Sequence, residues 1–191
     1  MITKRFTALG TTVLGSLLLV AAPAFAQTGT AKPAAAPAAA GPTDPQIAAI
    51  VVAANQVDID AGKAAKTKTK NKEVKQFAET MVRDHAGVNK EAAELCMKLK
   101  VTPEVNATSK SLVEGGKESM AALKKLKGAE FDKAYVDHEV AYHQQVMEAI
   151  NTTLIPNAKN AELKALIEKV APAIQAHLDH AKKLQGELAA K

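Results

Sequence analysis

Apolar residues that recur every three or four positions constrain this chain more than any other feature. From residue 44 onward they form four long runs, separated by Pro, Gly and polar residues. This spacing lines one face of an α-helix, and no window shows the sustained two-residue alternation of a strand. Because each apolar face must be buried against another helix, the sequence predicts an all-α fold.

The runs predict four long helices. The first begins at Asp44-Pro45, where Asp44 accepts hydrogen bonds from free backbone N–H groups, and it ends near Lys66. The second ends near residue 100, and the third extends from residue 131 to about residue 154. The fourth follows residue 160 and contains Pro172, where we expect a kink or a local opening of the helix.

The connections predict the topology. Short turns at 67–71 and 155–160 each join an antiparallel helix pair, whereas a long connection, 101–128, joins the two pairs. Pro103 and several glycines interrupt that connection, so we expect one or two short helices in it. Two pairs joined by a long crossover are typical of a ferritin-like four-helix bundle, which we place at residues 44–191.

The N-terminal 43 residues predict export. Residues 1–26 combine a basic start, an apolar stretch and the small-x-small pattern Ala24-Phe25-Ala26, which is typical of a signal peptide cleaved before Gln27. Residues 27–43 form an Ala/Pro-rich linker. No later segment is apolar enough to span a membrane. We therefore expect a periplasmic protein, either free or associated with the envelope.

Charge and cysteine content exclude some classes. Removal of residues 1–26 lowers the formal net charge from +5 to +3, and Arg83 is then the single arginine. Few aromatic residues accompany this charge, so we expect no nucleic-acid binding. Cys96 has no cysteine partner within the chain. We expect a buried thiol, and the alternative is a disulfide-linked dimer through an exposed Cys96.

A cluster of lysines surrounds the first predicted turn. We interpret it as the solvated tip of the bundle, and the alternative is contact with anionic envelope components, which salt would weaken. The lysines are Lys63, Lys66, Lys68, Lys70, Lys72 and Lys75.

Each predicted helix places one titratable residue in its apolar stripe. These residues are Asp58, His85, His143 and His177. Imidazole and carboxylate groups bind zinc, iron or copper, and bundle cores are where facing helices build such sites. The alternative interpretation is that the histidines and the aspartate are structural, with hydrogen bonds that satisfy their buried polar atoms.

Counting residues from the turns argues against one four-ligand site. From Thr69, Asp58 and His85 differ in depth by about 7 Å at 1.5 Å per residue. From Asn157, His143 and His177 differ by about 9 Å, while His138 is level with His177. No histidine has the Glu-x-x-His spacing of a di-iron centre, and no serine or cysteine lies in a nucleophile motif. We therefore expect no enzyme activity.

Four segments resemble the bacterial family called domain of unknown function 4142. They are Val57-Asp58-Ile59-Asp60-Ala61-Gly62-Lys63, Val74-Lys75-Gln76-Phe77-Ala78 with Met81-Val82-Arg83-Asp84-His85, Phe131-Asp132-Lys133-Ala134-Tyr135 with His143, and Pro172 with His177. The resemblance covers about residues 44–188. It implies an exported protein of the ferritin-like fold group, often labelled an outer membrane protein, with no established activity.

Two functions follow from these observations. The first is an exported, periplasmic helical-bundle protein that acts without catalysis, by binding or by association with the envelope. The alternative is a metal-binding ferritin-like protein, in which Asp58, His85, His143 and His177 form a site for zinc, iron or copper in the bundle core.

Overall fold

The computed structural model describes residues 41–190, and every regular element in that range is helical. The elements are α1 (Asp44–Lys68), α2 (Lys72–Leu99), α3 (Ala107–Lys125), α4 (Gly128–Ala149), a π-helical turn (Ile150–Leu154), α5 (Ile155–Asn157) and α6 (Ala161–Ala189). The predicted all-α fold is confirmed. The predicted signal peptide, 1–26, and most of the predicted linker, 27–43, lie outside the described residues.

Two antiparallel helix pairs form the bundle. α1 packs along α2 and α4 packs along α6, and a turn of three residues precedes the second helix of each pair. The pairs meet where α2 contacts α6 and where α1 contacts α4. Asn71 and Asn160 cap α2 and α6 by accepting hydrogen bonds from the first free backbone N–H groups. Local capping thus sets where each returning helix begins.

The start of α1 differs from the prediction at Asp44. Thr43, not Asp44, is the N-cap residue, and its backbone N–H donates to Gln46 Oε1 at 3.2 Å. The Asp44 carboxylate instead accepts hydrogen bonds from the backbone N–H groups of Lys159 and Asn160, at 2.8 and 2.9 Å. Asp44 therefore joins the start of α1 to the turn before α6.

The long connection contains one 19-residue helix, α3, rather than the one or two short helices predicted. Its two adjacent glycines do not interrupt it, because α3 packs against α1 and tertiary contact outweighs helix propensity. A Cβ atom on Gly116 would lie 2.8 Å from Val57 Cγ2, so the glycine permits close approach of the two helices. Lys68 Nζ donates to the carbonyls of Leu123 and Lys124 at the end of α3.

The two internal prolines have different surroundings. The third predicted helix was expected to end near Leu154, but the chain continues helically through Pro156 to Asn157 after the π-helical turn. The widened π-helical backbone precedes a residue that lacks an N–H donor. α6 continues through Pro172, which is exposed. The second reversal therefore occurs at 158–160, later than predicted.

The apolar core consists of two clusters with a polar layer between them. One cluster includes Phe77, Met81 and Tyr135, and the other includes Ile50 and Ile167. Between them along the helices lie buried polar residues. These are Asn55, Asp58, His85, Glu139, His143 and His177.

The surface of the described region bears on three predictions. Five of the six clustered lysines are exposed, whereas Lys68 is half-buried and caps α3. Cys96 is half-buried, so it is neither the buried thiol that we expect nor the exposed thiol of the alternative. Among residues 41–190, no helix has the length and apolar character needed to cross a membrane.

Candidate metal centre

Three histidines from three helices meet in the polar layer. His85 of α2, His143 of α4 and His177 of α6 are between 1 and 7% exposed. Their ring centroids are separated by 5.3 to 5.6 Å, nearly an equilateral triangle. One ligand atom from each ring lies within 4.8 Å of the other two. This arrangement has the ligand type and the spacing that a transition metal requires.

A hydrogen-bond acceptor holds each ring through one nitrogen. His85 Nδ1 donates to Asn55 Oδ1 at 2.7 Å, and His143 Nδ1 donates to the Glu139 backbone carbonyl at 3.0 Å. His177 Nε2 donates to Asp84 Oδ2 at 3.0 Å. Because amide, carbonyl and carboxylate oxygens only accept, each contact places the ring proton on the bonded nitrogen.

The orientation of Asn55 is itself determined by a neighbour. Its Nδ2 atom donates to the backbone carbonyl of Val51 at 2.8 Å, one turn earlier in α1. The amide oxygen must therefore face His85, and the tautomer of that ring follows. Outer partners of this kind, which orient a ligating histidine, accompany metal ligands in most proteins.

The second nitrogen of each ring has no partner. His85 Nε2, His143 Nε2 and His177 Nδ1 are buried and form no hydrogen bond. Given the assigned tautomers, each of these atoms carries a lone pair. The triad thus has three buried nitrogens with free lone pairs, which are the atoms through which imidazole binds a metal ion.

Burial keeps the rings neutral. Burial, together with the neighbouring His143 and His177, lowers the pKa of His85 to about 3. Burial also lowers the pKa of His143 to about 4 and that of His177, although the hydrogen bond to Asp84 opposes the shift of His177. Because a metal competes with protons for the same nitrogens, neutral imidazoles are ready to bind it near neutral pH.

Two carboxylates lie beside the triad. Asp58 of α1 and Glu139 of α4 form, with His143, a second group whose ligand atoms lie within 4.8 Å of one another. Asp58 Oδ2 is 3.5 Å from His85 Nδ1, and Glu139 Oε2 is 3.4 Å from His143 Nδ1. The carboxylates therefore lie on the hydrogen-bonded side of these two rings, away from the unpartnered nitrogens.

Both carboxyl groups favour the protonated form. Burial, followed by the negative charge of Glu139, raises the pKa of Asp58 well above its usual value. Burial raises the pKa of Glu139 to about 8. The shifts reflect two acids held close together in an apolar surrounding.

The comparison with protein-family models identifies the family. The model described as Domain of unknown function (DUF4142) matches residues 29–184. The chain belongs to this family. The predicted resemblance is confirmed, and it covers every residue of the candidate metal centre.

The DUF4142 chain is also similar to a solved structure titled "CopM in the Cu(II)-bound form". The two are 17% identical, with a TM-score of 0.62, and the match covers 78% of this chain and 99% of the other. At this identity the similarity shows a shared helical fold. A search of the curated proteins finds no match to this chain.

The four predicted site residues of this DUF4142 protein are all buried in the polar layer. The structure brings the three histidines together, whereas Asp58 joins Glu139 and His143 in the second group. His138, which the sequence offered as a partner for His177, belongs to neither group, and its ring stacks on Tyr142 at 5.5 Å.

The predicted difference in depth between His143 and His177 was wrong because of where the chain reverses. Counted from Lys159, at the centre of the observed turn, the two residues lie 16 and 18 positions away. That is a difference of about 3 Å at 1.5 Å per residue, which side chains can span. The continuation of the helix to Asn157 thus aligns the two rings.

Sequence reasoning missed three residues of the site. Glu139 lies one turn before His143, and a search for Glu four positions before each histidine would have found it. Asp84 and Asn55 are the other two, and they hold His177 and His85. No local pattern marks the last two, because their partners lie on other helices.

Proposed function

We propose that this protein binds a transition metal ion between His85, His143 and His177. One observation supports the proposal above all: three buried rings converge, and each has one nitrogen held by an acceptor and one nitrogen with no partner. A purely structural triad fits this observation poorly, because each buried unpaired nitrogen costs about 1–3 kcal/mol.

The ligand set favours particular metals. Three neutral imidazoles suit copper, zinc and iron, and leave a fourth position for another ligand. The structural neighbour whose title names Cu(II) adds support for testing copper first. The Nε2 and Nδ1 atoms without partners are the proposed ligands.

We propose binding rather than catalysis as the role of the site. An apolar cavity of about 40 Å³ adjoins it, lined in part by Asn55, Asp58 and His85. Pockets for organic ligands are typically about 300–1,000 Å³, so this space suits the ion and a very small additional ligand.

Metal content is the direct test. Protein purified without a histidine tag would be incubated with Cu(II), Zn(II) or Fe(II), dialysed and measured by elemental analysis. We expect a bound equivalent of metal that is lost in His85→Ala, His143→Ala and His177→Ala. His180→Ala is the matched control, because His180 is exposed on the same helix as His177.

Circular dichroism of each variant distinguishes loss of a ligand from loss of the fold. Wild-type protein that retains no metal after loading, or folded His177→Ala protein that retains as much as wild type, would contradict the proposal.

We also propose that the protein acts in the periplasm, on the basis of the sequence of residues 1–26. Cell fractionation with N-terminal sequencing tests this. We expect periplasmic protein that begins at Gln27, and cytoplasmic protein that retains Met1 would contradict it.

A second function, contact with anionic envelope components, is supported by the exposed lysines around the first turn. Lys63, Lys70 and Lys72 are exposed, and none forms an ion pair with another residue of the described range, unlike Lys66, which lies 4.0 Å from Glu79. We expect Lys70→Gln with Lys72→Gln to remove salt-sensitive sedimentation with envelope fractions. Lys68 must remain, since it caps α3; unchanged sedimentation would exclude this role.

A further inference from the structure

The Asp58–Glu139 pair leaves its oxygens unsatisfied at a fully buried position. Asp58 is 2% exposed and Glu139 is 0% exposed. Asp58 Oδ1 and both carboxylate oxygens of Glu139 are buried without a hydrogen-bond partner. Acids this deep in a core are otherwise paired or bound to a metal.

No cationic side chain compensates the pair. Within residues 41–190, no lysine or arginine forms an ion pair with either carboxylate, and the side-chain nitrogens beside them are His85 Nδ1 and His143 Nδ1, at 3.5 and 3.4 Å. Both rings direct their Nδ1–H groups at other acceptors, Asn55 Oδ1 and the Glu139 backbone carbonyl. Two neighbouring carboxylates cannot both ionise in such a site unless a cation joins them.

Tyr135 adds a further polar atom to the same place. Its hydroxyl is buried without a partner, and burial, followed by the charges of Glu139 and Asp58, raises its pKa. Asp58 and Tyr135 thus lie close to Glu139, yet none of its oxygens has a partner in hydrogen-bonding geometry. The buried oxygens of Glu139 are thus left without a hydrogen bond.

We propose that Asp58, Glu139 and His143 hold a second divalent cation next to the three-histidine site. The ligand atoms of these residues already lie within 4.8 Å of one another, and His143 belongs to both groups. Its Nε2 atom would bind the first ion, and the second ion would displace the Nδ1 proton to solvent and bind that nitrogen, so the two ions would be neighbours. This inference rests on the proposed function, because the second position is defined beside the first.

The two positions differ in ligand chemistry. Three imidazoles form a nitrogen site, whereas two carboxylates and one imidazole form a harder, mainly oxygen site. The second position therefore suits zinc, iron(II) or manganese(II). Zinc suits both ligand sets, and it is the appropriate probe for counting them.

The test is the zinc stoichiometry of the full chain after equilibrium dialysis and elemental analysis. We expect two equivalents for wild type and one for Glu139→Gln and for Asp58→Asn, which keep the histidine site. His177→Ala should also bind one equivalent, held by the carboxylates. Asp132→Asn is the matched control, a buried acid of α4 outside the group, and should bind two.

Every outcome decides between the two proposals. A single equivalent that His177→Ala loses and Glu139→Gln keeps would overturn the second position alone. A single equivalent that both variants lose would indicate one mixed site, and would also overturn the second position. A single equivalent that Glu139→Gln loses and His177→Ala keeps would overturn the three-histidine site, on which the second position rests. No zinc in folded wild-type protein would overturn both proposals. Circular dichroism confirms the fold of each variant, and the near-isosteric Glu139→Gln change keeps the packing.

Discussion

At the residue scale, the orientation of each imidazole depends on an acceptor outside the triad. Asn55 holds His85, the Glu139 carbonyl holds His143, and Asp84 holds His177. Two of these acceptors are side chains, so substitution can test their contribution without removal of a ligand.

We expect Asn55→Ala to weaken metal binding by about 10–100-fold, because the His85 ring loses the contact that fixes its tautomer and orientation. Competition with a chelator of known affinity measures the change. Asn89→Ala is the matched control: Asn89 also links α2 to α1, through the Val52 carbonyl at 3.5 Å, but it is not bonded to a ring of the triad. Equal affinities of the two variants would contradict a role for Asn55.

The buried histidines and acids predict opposite effects of pH on stability. His85 and His143 have folded-state pKa values of about 3 and 4, below the ordinary value of 6.5. Unfolding therefore takes up protons below pH 6.5. The contribution of these histidines to the free energy of unfolding is complete above pH 6.5 and is lost as the pH falls towards 4 and 3. Glu139 has a folded-state pKa of about 8 against 4.5, so its contribution is complete below pH 4.5 and is lost as the pH rises through 8.

We expect the metal-free protein to lose stability on both sides of about pH 6.5, where the acid-side loss from the histidines meets the alkaline loss from the carboxyl groups. Glu139→Gln should flatten the decline between that pH and pH 8. Urea unfolding of the metal-free wild type and variant across this range measures both effects. An equally steep alkaline decline in the variant would show that Glu139 is not the group responsible.

At the element scale, close contact between α1 and α2 depends on Gly62. A Cβ atom there would lie 2.9 Å from Val82 Cγ2 and 3.0 Å from the Ala78 backbone carbonyl. The stiff valine and the helix backbone have little freedom to move. The α1–α2 pair positions Asp58 and His85, so its spacing also affects the centre.

We expect Gly62→Ala to destabilise the protein by about 1–3 kcal/mol, the usual cost of overpacking. Gly87→Ala is the control: Gly87 is exposed on α2, and a Cβ atom there would have no neighbour within 4 Å. That change should stabilise the protein by about 0.5–1 kcal/mol through helix propensity. Urea unfolding measures both, and equal effects would show that the helices can separate at Gly62 without cost.

At the scale of the whole molecule, the candidate metal centre lies where all four helices of the bundle meet. His85, His143 and His177 come from α2, α4 and α6, and α1 contributes Asp58 and Asn55. The polar layer separates two apolar clusters. An ion bound there would link the helix pairs in the folded state and not in the unfolded one.

We expect Zn(II) at a free concentration about 100-fold above its Kd to raise the free energy of unfolding by about 2.7 kcal/mol per site. A chelator should reverse the effect. His180→Ala should keep the stabilisation, whereas folded His177→Ala should lose the part that comes from the three-histidine site. Thermal unfolding with and without metal measures this, and identical curves for wild type would contradict binding to the folded state.

The sequence by itself determined the helices and which of their faces are buried. Asp58, His85, His143 and His177 were all placed in apolar stripes correctly, because burial along a helix follows a local spacing of three to four residues. The asparagine caps and short turns similarly act over a few residues, so the antiparallel pairs could be predicted.

Only the tertiary structure decided which polar residues meet. The π-helical turn and the continuation of the helix through Pro156 determine whether His143 and His177 lie at the same depth along the bundle. The contacts of Asn55 and Asp84 join residues 30 and 93 positions apart. Distances of this kind are set by how far each helix extends before the chain reverses and by how closely the helices pack, and no single segment of sequence encodes either.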